Sequence, residues 1–217
     1  LVRKGFEAIG EQGGNAEERG YLSGIVRRVD EQYYTDEWAK CCLLLYKKEL
    51  LQKPPLCLQR LFFRHPDKMK MFLEENPSRS FDVENDYYLP EEAYQDKRAF
   101  DCWAECLYEE FPEILGYIMG KSCNGKDGAF PHEFIREFLE KQQNEKLTKA
   151  VFYGKFNSRG ARIVQDGRTL YEQAKCYRAQ ARELRLKFPQ SAKILLQLAK
   201  WMESEAQHDQ LEAEIVP

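Results

Sequence analysis

The residues that could carry out catalysis or hold a metal are few. The three histidines, His65, His132 and His208, fall on separate predicted elements and show neither an HExxH motif nor a comparable metal-binding spacing. We interpret each as a helix-start or surface residue. Cys102 and Cys106 lie four residues apart on one helix face, but no Cys or His pair nearby completes a tetrahedral zinc site. The sequence predicts no metal and no cofactor.

A second arrangement surrounds Cys123, which lies in the glycine-rich segment GKSCNGKDG, four residues before Asp127 and nine before His132. A thiol nucleophile needs access and a histidine base within reach, so this is the one cysteine arrangement to test. A loop cysteine beside a turn is commonly inert. The segment also lacks the GxxxxGK[ST] order of a phosphate-binding loop, and no obvious strand precedes it. The sequence therefore favours a non-catalytic chain, with an enzyme as the third hypothesis.

The most informative polar segment runs from Lys155 to Arg168, ahead of a predicted helix. Its residues form our candidate binding site: Lys155, Asn157, Arg159, Arg162 and Arg168. Guanidinium groups and free backbone amides near a helix N-terminus can bind a phosphate or a carboxylate-rich partner. The alternative, which we favour, is an ordered connector whose Asn and Arg side chains tie neighbouring helices together through hydrogen bonds to backbone.

Composition limits the classes of function. The 217 residues are 43% hydrophobic and 32% charged, as in globular proteins, and the net charge is only −3. This overall charge does not indicate a nucleic-acid partner, which would need a local basic patch. The longest apolar run is Cys41 to Tyr46, far short of the roughly 18 residues of a membrane span, so we predict no membrane partner.

Cysteine usage and the first residues bear on cellular location. The seven cysteines are an odd number without CxxC pairs, which predicts reduced thiols in a cytoplasmic protein. The N-terminal residues lack the succession typical of a secretory signal. Leu1 in place of Met suggests a fragment of a longer protein or a processed chain.

Apolar residues spaced three and four apart predict helices along most of the chain. Thr35 is a good N-cap for a helix that Pro54 and Pro55 stop, and Pro66 opens another. The predicted helices cover residues 2–9, 16–30, 56–63, 66–74, 90–111, 113–119 and 147–154, together with one from 36 that has Lys47 and Lys48 near its far end and one from 131 onward. No strand pattern of comparable length appears, and residues 162–164 could form at most a minor extended piece.

The clearest pattern is the last. Leu170, Ala174, Tyr177, Ala181, Leu184 and Phe188 alternate four and three apart, and beyond Pro189 the stripe resumes at Leu195, Leu198, Ala199, Met202 and Ala206. Two long helices separated by a tight Phe-Pro turn are expected to lie antiparallel as an αα-hairpin.

The runs DGAFPHEFIREFLE, FNSRGARIVQDG and YEQAKCYRAQARELRLKFPQSAKILLQLA carry a resemblance. Together they resemble the helical C-terminal region of large, poorly characterised bacterial proteins, over roughly the last 90 residues. The resemblance implies a helical scaffold and no assigned activity.

These observations combine into one prediction. The chain is all-α, an irregular helical array or α-solenoid-like bundle that ends in a long antiparallel hairpin. We divide it into a subdomain at 1–76, a surface connection at 77–89 and a second subdomain at 90–217. The predicted function is a non-catalytic protein-interaction or scaffolding region of a larger intracellular protein, which contacts a protein partner or other domains of its own chain. The alternative is a module that contacts phosphate or nucleic acid through residues 155–168.

Overall fold

A computed structural model describes residues 16–32, 35–51, 53–79, 86–158 and 167–215. Within these ranges the chain forms ten α-helices, two short 3-10 helices and no strand, which confirms the all-α prediction. None of these helices is long and apolar enough to cross a membrane. The helices are α1 (Ala16–Gln32), α2 (Asp36–Lys47), α3 (Leu56–Arg64), α4 (Pro66–Glu75), α5 (Lys97–Tyr108), α6 (Pro112–Gly120), α7 (Glu133–Gln142), α8 (Glu145–Asn157), α9 (Arg168–Leu184) and α10 (Pro189–Ile215).

Two compact units make up the chain, Leu1–Glu109 and Glu110–Pro217. The connection predicted at 77–89 is only partly visible, because residues 80–85 lie outside the described ranges. The helix predicted at 2–9 and the extended piece predicted at 162–164 also lie outside them. The first unit contains α1 to α5, and the second contains α6 to α10.

The first unit is built around an aromatic core. The ring of Phe72 lies 5.5 Å from the rings of both Tyr46 and Phe62, and Trp103 packs against Phe63 at 6.2 Å. All five side chains are buried. Aromatic rings bury a large apolar area each, so this core joins α2, α3, α4 and α5 through few residues.

Several helix starts follow their local sequence. The Thr35 hydroxyl accepts a hydrogen bond from the backbone N–H of Trp38 at 3.1 Å, as expected of an N-cap, and Pro66 occupies the first turn of α4. Lys47 lies in the last turn of α2 and Lys48 is its C-cap, as predicted, but the two prolines predicted to stop the helix lie farther along the chain. The helix ends at Lys47 because Glu49 adopts a left-handed conformation, with φ 58°, well before the two prolines.

The long helix predicted over 90–111 was also wrong. A short 3-10 helix spans Glu91–Tyr94, and α5 begins separately at Lys97. The Asp96 carboxylate accepts from the backbone N–H groups of Arg98 and Ala99, at 2.9 and 3.1 Å. This N-cap starts a new helix where the apolar pattern alone had suggested continuity.

The α9–α10 hairpin agrees closely with its prediction. Gly167, at the start of α9, lies against Ala206 of α10, and Arg178 of α9 pairs with Glu203 of α10. Residues far from the turn on one helix therefore contact residues far from the turn on the other helix. The predicted apolar residues of α10 are all buried: Leu195, Leu198, Ala199, Met202 and Ala206. The helices are therefore antiparallel and joined along the predicted stripe.

Helices α6 and α8 pack through their backbones. A Cβ atom at Gly120 would overlap the carbonyl oxygen of Val151, and a Cβ atom at Gly154 would overlap that of Tyr117. Glycine at these positions permits the close approach. The prediction that α8 stops near Gly154 was wrong: the helix runs on to Asn157, and Gly154 serves the contact with α6.

Candidate functional site

The structure describes three of the five predicted binding residues. Lys155 lies in the last turn of α8, with its ammonium nitrogen 4.5 Å from the centre of the Phe130 ring. Asn157 is the last residue of α8 and Arg168 the first of α9, and both are exposed. Arg159 and Arg162 lie outside the described residues. The described cations, Lys155 and Arg168, therefore lie at the two ends of the basic segment, and Lys155 contacts the Phe130 ring.

Both ends of this segment are held beside α10. On the side of α8, the Phe156 ring packs edge-on against Trp201, with centroids 4.6 Å apart. On the side of α9, Gly167 has φ 77° and lies so close to α10 that an added Cβ would be 2.7 Å from the carbonyl oxygen of Ala206. Trp201 and Ala206 are five residues apart, or about 7.5 Å along a helix. The ends of the basic segment therefore reach neighbouring turns of α10.

Next to the first of these ends lies a surface that the sequence analysis missed. Five aromatic rings on α6, α8 and α10 contact one another in succession, and we call them the aromatic chain: Tyr117, Tyr153, Phe152, Phe156 and Trp201. Successive ring centroids are 6.4, 5.3, 6.2 and 4.6 Å apart. Tyr153 is 48% exposed, and the other four rings are partly exposed. The rings therefore form a continuous series across three helices, in which Tyr153 is the most exposed ring and Trp201 also packs against the core of the hairpin.

The thiol arrangement around Cys123 gains no support from the electrostatics. Cys123 is exposed, but desolvation by neighbouring atoms raises the pKa of its thiol, which lowers the fraction of reactive thiolate at neutral pH. His132 is buried, and this burial lowers the pKa of its imidazole. Its Nδ1 accepts from the backbone N–H of Phe134 at 3.3 Å, while Nε2 lies 3.4 Å from a Glu133 carboxylate oxygen. His132 therefore serves as the N-cap of α7.

An ion pair that the sequence analysis did not predict joins this loop to α7, and it combines a buried arginine with a half-exposed carboxylate. Arg136 is almost wholly buried, and its guanidinium donates two hydrogen bonds of 2.7 Å to the carboxylate of Asp127. Glu133 lies 4.0 Å from the guanidinium and accepts from the backbone N–H of Lys126. Arg136 lowers the pKa of Asp127 through these bonds. The pair anchors the loop onto α7, which is a structural role.

No metal-binding cluster emerges from the described residues. Among them, no group of three or more His, Cys, Asp or Glu side chains is placed to hold an ion. His65 lies between α3 and α4, where it ends one helix and precedes the other. Cys102 is exposed and Cys106 half-buried on α5.

Comparison with protein-family models gives no match, and comparison with curated proteins and with solved structures gives no significant match. Any functional proposal therefore depends on the residues of this chain alone.

Proposed function

We propose that this chain is a non-catalytic protein-interaction or scaffolding region of a larger cytoplasmic, bacterial protein. The observation that supports it is the aromatic chain. Single exposed apolar residues are ordinary on protein surfaces, whereas contiguous apolar patches mark contact sites. Aromatic residues are also enriched at the centres of protein interfaces, where they contribute a large part of the binding energy.

The cysteines support the cytoplasmic part of this proposal. All seven are free thiols, and three of them, Cys102, Cys123 and Cys176, are exposed. Exposed thiols persist in reducing compartments and are oxidised elsewhere. The bacterial origin is supported only by the resemblance carried by the C-terminal sequence.

Photo-crosslinking in the cells that produce the protein tests the interaction. A photoreactive benzoyl-phenylalanine in place of Tyr153 is expected to give a discrete adduct with a protein partner. The control carries the same group in place of Leu186, which is 89% exposed beyond the end of α9. The same adducts at both positions, or no protein adduct at position 153, would show that the aromatic chain is not an interaction surface.

A phosphate-contacting or nucleic-acid-contacting role for the basic segment is the second candidate. The observation that favours it is the start of α9, where Gly167 offers no side-chain cap and the first turn contains no acidic residue. The positive end of the helix dipole and the exposed Arg168 therefore lie together.

Binding of a fluorescent oligonucleotide at increasing salt distinguishes the two candidates. Phosphate-driven binding weakens steeply with salt, and the paired changes Arg159→Glu and Arg162→Glu are expected to abolish it. A contact centred on apolar rings is much less sensitive to salt. Oligonucleotide binding that persists in the variant with both substitutions would exclude the basic segment as the binding site.

A further inference from the structure

Two cysteines stand one turn apart on α5, away from its buried side. Cys102 is exposed and Cys106 is half-buried. The core side of the same helix is formed by other residues, among them Phe100, Trp103 and Leu107, which are wholly buried. Cysteine that serves only as a small apolar residue is usually buried. Packing in the core therefore does not explain this pair.

The helix sets the distance between the two side chains. Residues four apart share one helix face, with their Cβ atoms about 5–6 Å from each other. A disulfide needs Cβ atoms about 3.5–4.5 Å apart, so an intact α5 keeps Cys102 and Cys106 as two thiols. Two metal–sulfur bonds of about 2.3 Å in a straight line place the sulfur atoms about 4.6 Å apart, which suits Cβ atoms at the helix spacing. The spacing therefore fits one ion held between two sulfur atoms.

The number of ligands limits the kind of ion. Among the residues that the structure describes, no group of three or more His, Cys, Asp or Glu side chains is placed to hold an ion, so the four ligands of a structural zinc site are not found there. Hard cations such as Mg²⁺ and Ca²⁺ take six or more ligands, mostly oxygen. Soft thiolate ligands select Cu(I), which is stable with two ligands in a line.

Charged side chains of both signs lie beside the two cysteines on α5. Arg98 stands four residues before Cys102. Glu105 stands three residues after Cys102, and Glu109 stands three residues after Cys106. Residues at these spacings are neighbours on a helix surface. The charges that α5 itself places around the pair therefore favour a bound cation over a bound anion.

We propose that Cys102 and Cys106 bind a single Cu(I) ion between their sulfur atoms. Each thiol loses its proton to solvent as its sulfur bonds to the ion, so binding releases two protons and leaves one net negative charge on the site. The ion keeps its oxidation state, and only the two S–H bonds break. Arg98, one turn before Cys102, lies where it offsets the charge of the loaded site.

Competition for Cu(I) between the reduced full chain and the coloured complex of Cu(I) with ferrozine tests the proposal. The wild type is expected to remove one equivalent of Cu(I) from the complex, and the double variant Cys102→Ser, Cys106→Ser is expected to lose that equivalent. Each single variant is expected to bind at least about a hundredfold more weakly, because the second ligand of a linked pair adds roughly 10²–10⁴ in affinity.

A matched control removes two other exposed thiols. The double variant Cys123→Ser, Cys176→Ser changes the same number of cysteines on the second unit, and it is expected to bind Cu(I) like the wild type. Circular dichroism of both double variants checks that their helices are retained. X-ray absorption at the copper edge of the loaded wild type is expected to show two sulfur neighbours.

Each outcome decides the proposal. Wild-type affinity in Cys102→Ser, Cys106→Ser, or equal losses in the two double variants, would overturn it. Three or more sulfur neighbours, or tighter binding of Zn²⁺ than of Cu(I), would assign the ion to a different set of ligands and overturn it as well. The interaction proposed for the aromatic chain is tested separately at position 153 and does not depend on this result.

Discussion

The second unit contains two helix pairs that are held together in different ways. In the α9–α10 hairpin, a cluster of buried apolar side chains fills the space between the helices: Leu170, Ala174, Ala199, Met202 and Ala206. Between α6 and α8, the backbones come close because Gly120 and Gly154 have no side chains, and Gly116 lies against the small Ala150 side chain. The α9–α10 contact is made by packed side chains, and the α6–α8 contact depends on the absence of side chains at glycine positions.

The difference shows which contacts are visible in a sequence. An apolar stripe recurs with the helix period and can be recognised from side-chain type alone. A backbone contact leaves a weaker signal, small residues four apart at Gly116 and Gly120 and at Ala150 and Gly154, which resembles ordinary helix-breaking glycine. An added methyl group between α6 and α8 should therefore destabilise the protein more than the same group on an open helix surface.

The largest expected effect comes from Gly154→Ala. Alanine normally stabilises a helix by about 1 kcal/mol relative to glycine. At Gly154 the new Cβ would overlap the carbonyl oxygen of Tyr117, which is backbone and cannot rotate away. We expect a loss of about 3 kcal/mol, the upper part of the overpacking range, in the free energy of unfolding measured with urea.

The matched control is Gly24→Ala in α1, where an added Cβ would meet no atom within 4 Å. Its expected effect is a gain of up to about 1 kcal/mol from helix propensity. Opposite signs for the two variants would confirm that α6 and α8 depend on backbone contact. A neutral or stabilising Gly154→Ala would contradict it.

The next largest effect is expected at the loop that leads into α7. Asp127→Ala leaves the buried guanidinium of Arg136 without its two short hydrogen bonds. Breaking a fully buried pair costs about 3–5 kcal/mol; because the Asp127 side chain is 52% exposed, we expect about 1–3 kcal/mol in urea unfolding.

The double variant Asp127→Ala, Arg136→Met separates the pair from the space it fills. Methionine removes the buried charge and keeps most of the apolar stem, so the double variant should be more stable than Asp127→Ala alone. If it is less stable, the guanidinium contributes through other contacts, such as the Phe188 ring 5.4 Å away.

Much of the fold was predictable where one local signal dominates. The hairpin follows its stripe, and Thr35 and Pro66 mark helix starts through their own side chains. The prediction failed at Asp96, where a cap interrupts a continuous apolar pattern. It also missed the pair of Asp127 and Arg136, because residues nine apart become neighbours only once the loop has folded.

The candidate site was less predictable for a related reason. Lys155 and Asn157 lie in the last turns of α8 and Arg168 begins α9, so the three described candidate residues fall inside helices and not in the connection predicted for them. The neighbouring aromatic chain was missed because aromatic residues are normally core residues. Ala150 and Val151, rather than Phe152 and Tyr153, form the buried side of α8, and sequence alone does not reveal which face a short helix buries.

A smaller effect is expected from pH, again in the loop rather than the hairpin. Burial lowers the pKa of His132 below 6.5, against the opposing charge of Glu133 and together with the charges of Arg136 and Lys126. As the pH falls, His132 therefore binds a proton in the unfolded chain before it does so in the folded chain. The stability that neutral His132 contributes is fully present above pH 6.5 and decreases as the pH drops toward the folded pKa. Asp127 adds a separate loss below its ordinary pKa of 3.8.

Thermal unfolding between pH 8 and pH 5 measures this loss. His132→Gln is expected to flatten the stability profile just below pH 6.5. A profile that keeps its full slope in His132→Gln would assign the titration to another group.

The smallest effect is expected from the exposed ion pair of the hairpin. Arg178 and Glu203 join α9 to α10 through two short hydrogen bonds, yet solvent reaches both side chains, and exposed pairs stabilise proteins little. A double-mutant cycle of Arg178→Ala and Glu203→Ala should therefore give a coupling near the limit of measurement, which decreases further as salt is added. A coupling as large as that between Asp127 and Arg136 would mean that charge, and not the apolar stripe alone, holds the hairpin closed. Side-chain charge, and not only side-chain volume, would then distinguish the α9–α10 pair from the α6–α8 pair.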